Sequence, residues 1–198
     1  MREAARSALG PGGAERVIIC LYDATSRIRA AVVLRTVALL APLHHDLGLV
    51  FVGPGCDDED LRMHAAALGI TKRVSFLGER DDYLSLVRAA DLGWVVTRGD
   101  NAAYGCLDLL ALRVPVLAER TTIAQTYVAD GITGLLLNAN DPPGTAAAVA
   151  RLLGHEEERA AMGNAGRVRV AREFTEDAMV SAFESVAHAA ADRSLWRG

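Results

Sequence analysis

The strongest constraint on the fold of this 198-residue chain is a regular alternation of short apolar runs with helix-like segments. Apolar runs of strand length lie at 17–22, 49–52, 74–77, 93–97, 114–117 and 133–137. The runs are apolar throughout, which is typical of parallel strands that are buried on both faces. The alternation therefore predicts an α/β domain with a doubly wound parallel sheet, in which ligands bind beyond the carboxyl ends of the strands.

Helical patterns fill the intervals between these runs and continue after the last one. They are predicted at 28–40, 58–68, 82–90, from 106 onwards, and at 123–129, 142–154, 156–172 and 176–191. Asp141 and Thr175 precede two of these segments and are expected to cap them, because both side chains carry an oxygen that accepts from a free helix amide. The chain is thus predicted to end in three consecutive helices.

The expected organisation is a linker at 1–13, a Rossmann-like domain at 14–175 and a C-terminal helix at 176–198. The last helix carries an apolar stripe formed by Met179, Phe183 and Val186. Such a stripe usually joins the core, and on a terminal helix the alternative is that it docks a neighbouring domain. Both possibilities are kept open at this point.

Composition excludes several classes of protein. The net charge of −4 and the pI of about 5.7 argue against a nucleic-acid-binding face. No apolar run reaches the length of about 18 residues that spans a bilayer, and no signal peptide opens the chain. Three scattered cysteines without a CxxC pair indicate a reducing compartment, so a cytoplasmic protein is expected. Lys72 is the single lysine among 21 basic residues, so arginine is expected where a site would ordinarily use lysine.

Residues 100–116, DNAAYGCLDLLALRVPV, are the most informative segment for function. Seven residues separate Asp100 from Asp108, and a turn of small residues is predicted between them, before a helix. A helix start offers free amides and the positive end of the helix dipole, which suits phosphate. A carboxylate on each side of such an anion site is suited to hydroxyls at the two ends of a sugar nucleotide. The alternative is structural, with Asp100 as an N-cap and Asp108 as a solvated helix acid.

Other common sites are not supported by the sequence. The first predicted strand is followed by no G-x-G-x-x-G, and no P-loop occurs, so dinucleotide and P-loop sites are not expected. Asp58 and Asp60 form an Asp-x-Asp pattern at a predicted helix start, where the dipole alone favours acids. We therefore expect no metal site and no cofactor.

The order of several short motifs resembles the C-terminal, nucleotide-sugar-binding domain of the retaining glycosyltransferases of family 4, also called group 1. These motifs are VGPG at 52–55, VSFLG at 74–78, ADL at 90–92, the segment 100–116, DGITGLL at 130–136, and then Arg159, Met162-Gly163, Ala165, Arg167 and Phe174-Thr175. The resemblance covers about nine-tenths of the chain. It implies one half of a GT-B fold, which consists of two facing Rossmann-like domains.

The resemblance assigns roles to the segment 100–116. Asp100 stands where the family has the first of two glutamates, which touches hydroxyls of the transferred sugar. Asp108 stands at the second, which holds the ribose of the nucleotide. Ala103, Tyr104 and Gly105 occupy the turn whose amides face the diphosphate.

The resemblance also implies roles for cations and for the edges of the donor site. Arg29 lines up with the family's phosphate-gripping lysine, and Arg27 is the other candidate, since a guanidinium suits phosphate well. The remaining positions implied to lie against the donor are Gly53, Leu77, Gly78, Glu79, Thr97 and Arg98.

The chain departs from the family pattern at several positions. Both acids of the pair are aspartates, so each carboxylate is about 1.5 Å shorter in reach than that of a glutamate. The family's arginine after the first strand appears here as Leu21 or a neighbour. Thr121-Thr122 replace a glycine pair after the fifth strand, and Arg113 replaces the usual glycine before Val114-Pro115.

The implied function is donor binding in the transfer of a hexose from a nucleoside-diphosphate sugar to an acceptor, with retention of configuration and without a metal. Asp100 and Arg29 would act in catalysis. In the family, an N-terminal domain binds the acceptor, so the chain alone is expected to bind nucleotide and transfer little. That partner domain would belong to the same gene or to a separate chain, and it could bring the protein to the inner membrane as a peripheral protein. The alternatives are a degenerate, non-catalytic binding or interaction module, and a donor-binding subunit completed by a separate chain.

Overall fold

The computed structural model describes Leu9 and residues 14–191, and within these a parallel sheet of six strands. The strands are β1 (Arg16–Leu21), β2 (Leu47–Val52), β3 (Val74–Phe76), β4 (Leu92–Val95), β5 (Val116–Glu119) and β6 (Gly134–Leu137). Their order is β3-β2-β1-β4-β5-β6, and every neighbouring pair is parallel. The predicted doubly wound sheet is confirmed.

Helices cover both faces of this sheet. They are α1 (Arg27–Leu40), α2 (Glu59–Ala67), α3 (Tyr83–Ala89), α4 (Asp100–Ala111), α5 (Thr122–Tyr127), α6 (Pro142–Gly154), α7 (Glu156–Glu173) and α8 (Glu176–Ala191), with a 3₁₀ turn at Thr71–Arg73. Two buried clusters pack against the two faces, one around Phe51 and Leu34 and the other around Ile19 and Leu109. Burial on both faces explains why the strands are apolar at every position.

The predicted caps of the late helices are present. The Asp141 carboxylate accepts from the amide of Gly144 at 2.9 Å, and the Thr175 hydroxyl accepts from the amide of Ala178 at 3.2 Å. Each bond satisfies one amide that the first helical turn leaves without a partner. The predicted linker at 1–13 lies outside the described residues apart from Leu9, which is buried, and residues 192–198 lie outside them as well.

Several boundaries differ from the prediction, and two of these differences have an identifiable physical cause. The fifth strand is predicted at 114–117 and lies at Val116–Glu119. The amide of Val114 is used to close α4 on the carbonyl of Leu109, and Pro115 has no amide, so the ladder on this strand begins later. Helix α4 is predicted after Gly105 and begins at Asp100, with Gly99 as its N-cap.

Of the two alternatives for the apolar stripe of the last helix, burial in the core does not hold for the described residues. Met179, Phe183 and Val186 are exposed, as is Val180 beside them, so α8 presents its apolar stripe to solvent. No helix in the described part of the chain is long and apolar enough to cross a membrane.

Candidate functional site

Two clefts open at the carboxyl edge of the sheet, on opposite faces of α4. The β1–β2 cleft has a volume of about 340 Å³ and lies where β1, β2 and β3 end. Its lining residues are Leu21, Tyr22, Asp23, Val52, Gly53, Pro54, Glu79, Arg80, Tyr83, Thr97, Asn101, Tyr104, Gly105 and Asp108. This volume falls within the range of about 300–1,000 Å³ that is usual for small-molecule sites.

The β4–β5 cleft is smaller, with a volume of about 180 Å³. Its lining residues are Arg29, Val95, Thr97, Arg98, Gly99, Ala102, Cys106, Ala118, Glu119, Thr121, Ile123 and Ala124. Thr97 lines both clefts. Its hydroxyl oxygen is buried and has no hydrogen-bond partner in the described part of the chain, so it is a polar atom available to a ligand.

The two clefts lie at the topological switch point of the fold. Strands β1 and β4 are neighbours in the sheet, and the chain leaves them toward opposite edges. Loops that follow such a pair diverge, and ligands of open α/β sheets bind in the crevice that results. The sheet order thus places the clefts where a bound ligand is expected.

Gly53 allows the β1–β2 cleft to form. Its φ is +128°, and a Cβ at this position would lie 2.0 Å from the carbonyl oxygen of Tyr22. The Gly53 amide donates to the carbonyl of Gly78 at 2.8 Å, so the loops after β2 and β3 are joined. Only glycine permits this conformation and this close approach.

Asp108 is half-buried in the wall of the β1–β2 cleft, where its carboxylate oxygen Oδ2 accepts a hydrogen bond from the Tyr83 hydroxyl. Burial, followed by that hydrogen bond and the negative charge of Asp108, raises the pKa of Tyr83 well above its ordinary value. Tyr83 therefore stays protonated and acts as a donor. Asp108 is therefore a partly buried, hydrogen-bonded acid and not a fully solvated one.

Two further acids line the β1–β2 cleft. The Asp23 carboxylate accepts from the hydroxyls of Thr25 at 2.6 Å and Ser26 at 2.7 Å, and from the amide side chain of Asn101 at 3.3 Å. Burial acts to raise the pKa of Asp23, but these hydrogen bonds outweigh it and the pKa is lowered. Asp23 thus stays ionised, and with Glu79 and Asp108 it makes the lining acidic.

Arg29 lies in the first turn of α1 and lines the β4–β5 cleft. Its Nε donates to the Glu119 carboxylate at 2.6 Å, and both side chains are partly exposed. Glu119 is the last residue of β5, so the ion pair joins α1 to the sheet across the cleft. The guanidinium predicted to grip phosphate is thus already paired with a carboxylate.

Arg27 lines neither cleft. Its guanidinium pairs with Asp58 and Asp60 at the start of α2, with two short contacts. Asp58 also caps α2 by accepting from the amide of Asp60 at 2.9 Å. The Asp-x-Asp pattern therefore serves as a helix cap and an arginine partner. Among the described residues, no group of three His, Cys, Asp or Glu side chains is placed to hold a metal ion.

The turn predicted between Asp100 and Asp108 is wrong, because Ala103, Tyr104 and Gly105 lie inside α4. Gly105 instead allows close packing: a Cβ there would lie 3.2 Å from Leu21 and 3.5 Å from Val95. Tyr104 and Gly105 line the β1–β2 cleft through the helix face, and Ala103 lines neither cleft. Because α4 begins at Asp100, the backbone amides that its first turn leaves free lie at that end of the helix and not at Gly105.

Asp100 is the first residue of α4 and the N-cap is Gly99, so the alternative of Asp100 as an N-cap is wrong. It is exposed, forms no side-chain hydrogen bond or ion pair in the described part of the chain, and lines neither cleft. The structure therefore does not bring Asp100 and Asp108 into one cavity.

The remaining predicted residues divide between the clefts and the core. Glu79 lines the β1–β2 cleft and Arg98 the β4–β5 cleft. Leu77 packs against the core beside β2, and its amide donates to the carbonyl of Phe51 at 2.9 Å. The amide of Gly78 faces the Cys56 sulfur at 3.1 Å. Neither Leu77 nor Gly78 lines a cleft.

The sequence analysis missed several polar residues of the clefts, among them Asp23, Tyr83 and Glu119. Glu119 could have been found, since it is an acid at the carboxyl end of a predicted buried strand, where ligands of such sheets bind. Tyr83 carries no comparable signal. It lies 25 positions before Asp108, and only the packing of α3 against α4 brings the two side chains together.

The fold and the clefts define the class: an α/β domain with its candidate ligand site at the carboxyl edge of a doubly wound parallel sheet. Within that class, the family of glycosyl transferases group 1 matches residues 1–169, and the chain belongs to this family. Its fold corresponds to one Rossmann-like half of the GT-B proteins, as the sequence resemblance implied.

Similar proteins agree with this assignment. The chain is 29% identical over 201 residues to a D-inositol 3-phosphate glycosyltransferase of Mycolicibacterium gilvum, covering 98% of this chain and 45% of that protein. It superposes with a TM-score of 0.75 on Anabaena HepE in complex with UDP and glucose, at 18% identity, covering 95% of this chain and 51% of that one. The TM-score is 0.73 for the C-terminal domain of LpcC, a group 1 protein of Francisella tularensis, at 17% identity, covering 89% of this chain and 94% of that one.

The chain spans less than half of the length of the curated relatives that it matches. The chain covers 94% of the solved C-terminal domain of LpcC and 51% of the HepE chain, which agrees with the C-terminal type of domain that the sequence resemblance implies.

Proposed function

We propose that this chain is the donor-binding domain of a retaining glycosyltransferase that transfers a hexose from a nucleoside-diphosphate sugar to an acceptor. The observation that carries the proposal is the β1–β2 cleft, with Asp108 in its wall, at the switch point of a group 1 glycosyltransferase fold. The complex of HepE with UDP and glucose supports a nucleotide as the ligand class.

In this proposal the donor lies across Thr97. The nucleoside occupies the β1–β2 cleft, where Asp108 accepts from the ribose, and the diphosphate lies over the first turn of α4. Free amides and the positive helix end at that turn favour an anion. The sugar extends toward the β4–β5 cleft and meets Asp100 at its open rim.

Charge on the leaving diphosphate is the term that catalysis would have to stabilise. Arg29 and Arg98 line the β4–β5 cleft and would supply cations on that side of the path, whereas Arg80 lines the β1–β2 cleft. Phosphate would compete with Glu119 for the Arg29 guanidinium, because phosphate oxygens can bind a guanidinium in a bidentate geometry. We expect this step to need no metal. The acceptor would bind to an N-terminal domain, so the chain alone should bind nucleotide without efficient transfer.

Calorimetry with UDP, GDP and ADP tests the proposal. One of the three should bind with a dissociation constant between micromolar and low millimolar. Asp108→Ala and Arg29→Ala should weaken that binding, whereas Asp177→Ala, on exposed α8, should leave it unchanged. Absence of binding by all three nucleotides to folded protein would refute the proposal.

A second candidate is a non-catalytic binding module that keeps the scaffold alone. It is favoured by the pairing of Arg27 and Arg29 with acids and by the three carboxylates of the β1–β2 cleft, all of which disfavour a diphosphate. The same titrations distinguish the candidates, because a module of this kind would bind none of the nucleotides. A donor-binding subunit completed by a separate chain would bind nucleotide as the first candidate does.

A further inference from the structure

The hydrogen bond between Tyr83 and Asp108 joins two helices in the wall of the β1–β2 cleft. We infer that Tyr83 is a positioning residue for nucleotide recognition: its hydroxyl orients the Asp108 carboxylate so that the second carboxylate oxygen is presented to the ribose hydroxyls. This inference rests on the proposed function, because it assigns a determinant of sugar recognition within the same site.

The hydrogen-bonding pattern supports this role. Tyr83 donates to Oδ2 of Asp108, and Oδ1 has no partner in the described part of the chain. An ionised carboxylate offers about four acceptor positions, so one hydrogen bond leaves capacity for both hydroxyls of a ribose. Because burial and the adjacent carboxylate keep Tyr83 protonated, its hydroxyl donates to Asp108 and fixes which oxygen remains free.

The short side chain of Asp108 explains why such a residue is useful. An aspartate on a helix reaches about 1.5 Å less far than a glutamate, so the direction of its carboxylate matters more for contact with a ligand. Tyr83 is the first residue of α3, whereas Asp108 lies near the end of α4. The bond therefore fixes the carboxylate from a separate element, and the partly buried tyrosine ring packs against the core cluster around Ile19 and Leu109.

The hydrogen bond also reduces an electrostatic cost. Asp23, Glu79 and Asp108 all line the cleft that would receive an anionic nucleotide. A donor that is already bound to Asp108 disperses part of its negative charge, since hydrogen bonds to ionised groups are about twice as strong as neutral ones. Tyr83 thereby reduces the repulsion between Asp108 and an anionic nucleotide, in addition to orienting the carboxylate.

Calorimetry with paired ligands tests the inference. UDP, GDP and ADP are each compared with their 2′,3′-dideoxy counterparts. These lack the ribose hydroxyls that would donate hydrogen bonds to Asp108. Wild-type protein should prefer the ribose form of the nucleotide that it binds. Tyr83→Phe should weaken binding of the ribose form by about fivefold to tenfold, the size of one typical intramolecular hydrogen bond. It should change the dideoxy form by less than about twofold, because that form lacks the hydroxyls that the oriented carboxylate would accept.

Two further variants make the result specific. Tyr127→Phe removes the hydroxyl of another half-buried tyrosine, which packs on Phe174 away from both clefts, and should leave the preference for ribose unchanged. In an Asp108→Ala background, Tyr83→Phe should no longer affect that preference, because the residue through which it acts is gone.

The outcomes distinguish a failure of the inference about Tyr83 from a failure of the proposed function. Equal weakening of the ribose and dideoxy forms by Tyr83→Phe would show a merely structural tyrosine and overturn the inference. An unchanged preference for ribose, or no preference in the wild type, would overturn it as well while leaving nucleotide binding intact. Absence of binding by all the ribose nucleotides would instead refute the proposed function itself.

Discussion

Arg113 has a φ of +63°, the one positive value at a non-glycine residue in the described part of the chain. It follows the C-cap of α4, the position where glycine commonly ends a helix. A side chain in this left-handed conformation costs about 1 kcal/mol, because its Cβ crowds the backbone. Arginine at this position is therefore expected to be less stable than glycine.

Arg113→Gly should raise the free energy of unfolding by about 0.5–1 kcal/mol, since glycine adopts this φ without crowding. The midpoint of thermal unfolding should rise by about 2 °C. Arg113→Ala is the matched control, because it removes the long side chain and keeps the Cβ. Equal midpoints for the glycine and alanine variants would contradict the backbone explanation.

Glu119 holds Arg29 at the β4–β5 cleft, so its charge should oppose nucleotide binding. Glu119→Gln is expected to tighten binding of the nucleoside diphosphate by about threefold to tenfold, the size of one partly screened ion pair. Calorimetry measures this change. Glu173→Gln removes another arginine-paired acid, the partner of Arg169 on α7, and should have no effect. Unchanged or weaker binding in Glu119→Gln would contradict a role for Arg29 in holding phosphate.

At the scale of elements, α7 packs against the end of α4 with almost no space. A Cβ on Gly163 would lie 2.2 Å from the carbonyl oxygen of Arg113, so the two backbones are in direct contact. Gly154, the last residue of α6, is different, because a Cβ there would meet no other atom within 4 Å. The two glycines therefore differ in whether the packing around them leaves room for a methyl group.

Gly163→Ala should lower the free energy of unfolding by about 1–3 kcal/mol, the usual cost of overpacking. Gly154→Ala should leave it unchanged or raise it by up to about 1 kcal/mol, since alanine favours a helix. Denaturant unfolding compares the two variants. Similar effects at both glycines would show that the approach of α7 to α4 is looser than described.

The elements themselves are largely predictable, because apolar runs and helical patterns alternate without ambiguity. The beginning of α4 is not. The sequence predicts a turn at Gly105. In the structure this glycine lies inside the helix, and its lack of a side chain allows α4 to pack closely against Leu21 and Val95. A glycine required for close approach and a glycine required for a turn look the same in a sequence, and only the neighbouring strands distinguish them.

At the scale of the whole molecule, α8 contributes little to the described core. Phe183 is 75% exposed, whereas Met162 on α7 is 3% exposed. Phe183→Ala should change the free energy of unfolding by less than about 0.5 kcal/mol, as for most surface positions. Met162→Ala should lower it by about 2–4 kcal/mol through the cavity that it leaves. Denaturant unfolding measures both changes, and a large loss in Phe183→Ala would mean that α8 packs on the domain in solution.

The location of the candidate site can be predicted from the sequence. The ion pairs and hydrogen bonds between its side chains cannot. The rule for doubly wound sheets and the family resemblance together place Gly53, Glu79, Thr97 and Arg98 at the edge of the sheet where the two clefts lie. Which cation meets which acid depends on distances between residues far apart in the chain. The pair of Arg29 and Glu119 spans 90 positions, and no spacing rule connects them.

The position of Thr97 between the two clefts has a consequence for how ligands bind to them. Because this one side chain lines both hollows, a molecule that displaces it from one side would also change the lining of the other. Thermodynamic reciprocity then requires that the two occupants influence each other's affinity by an equal factor.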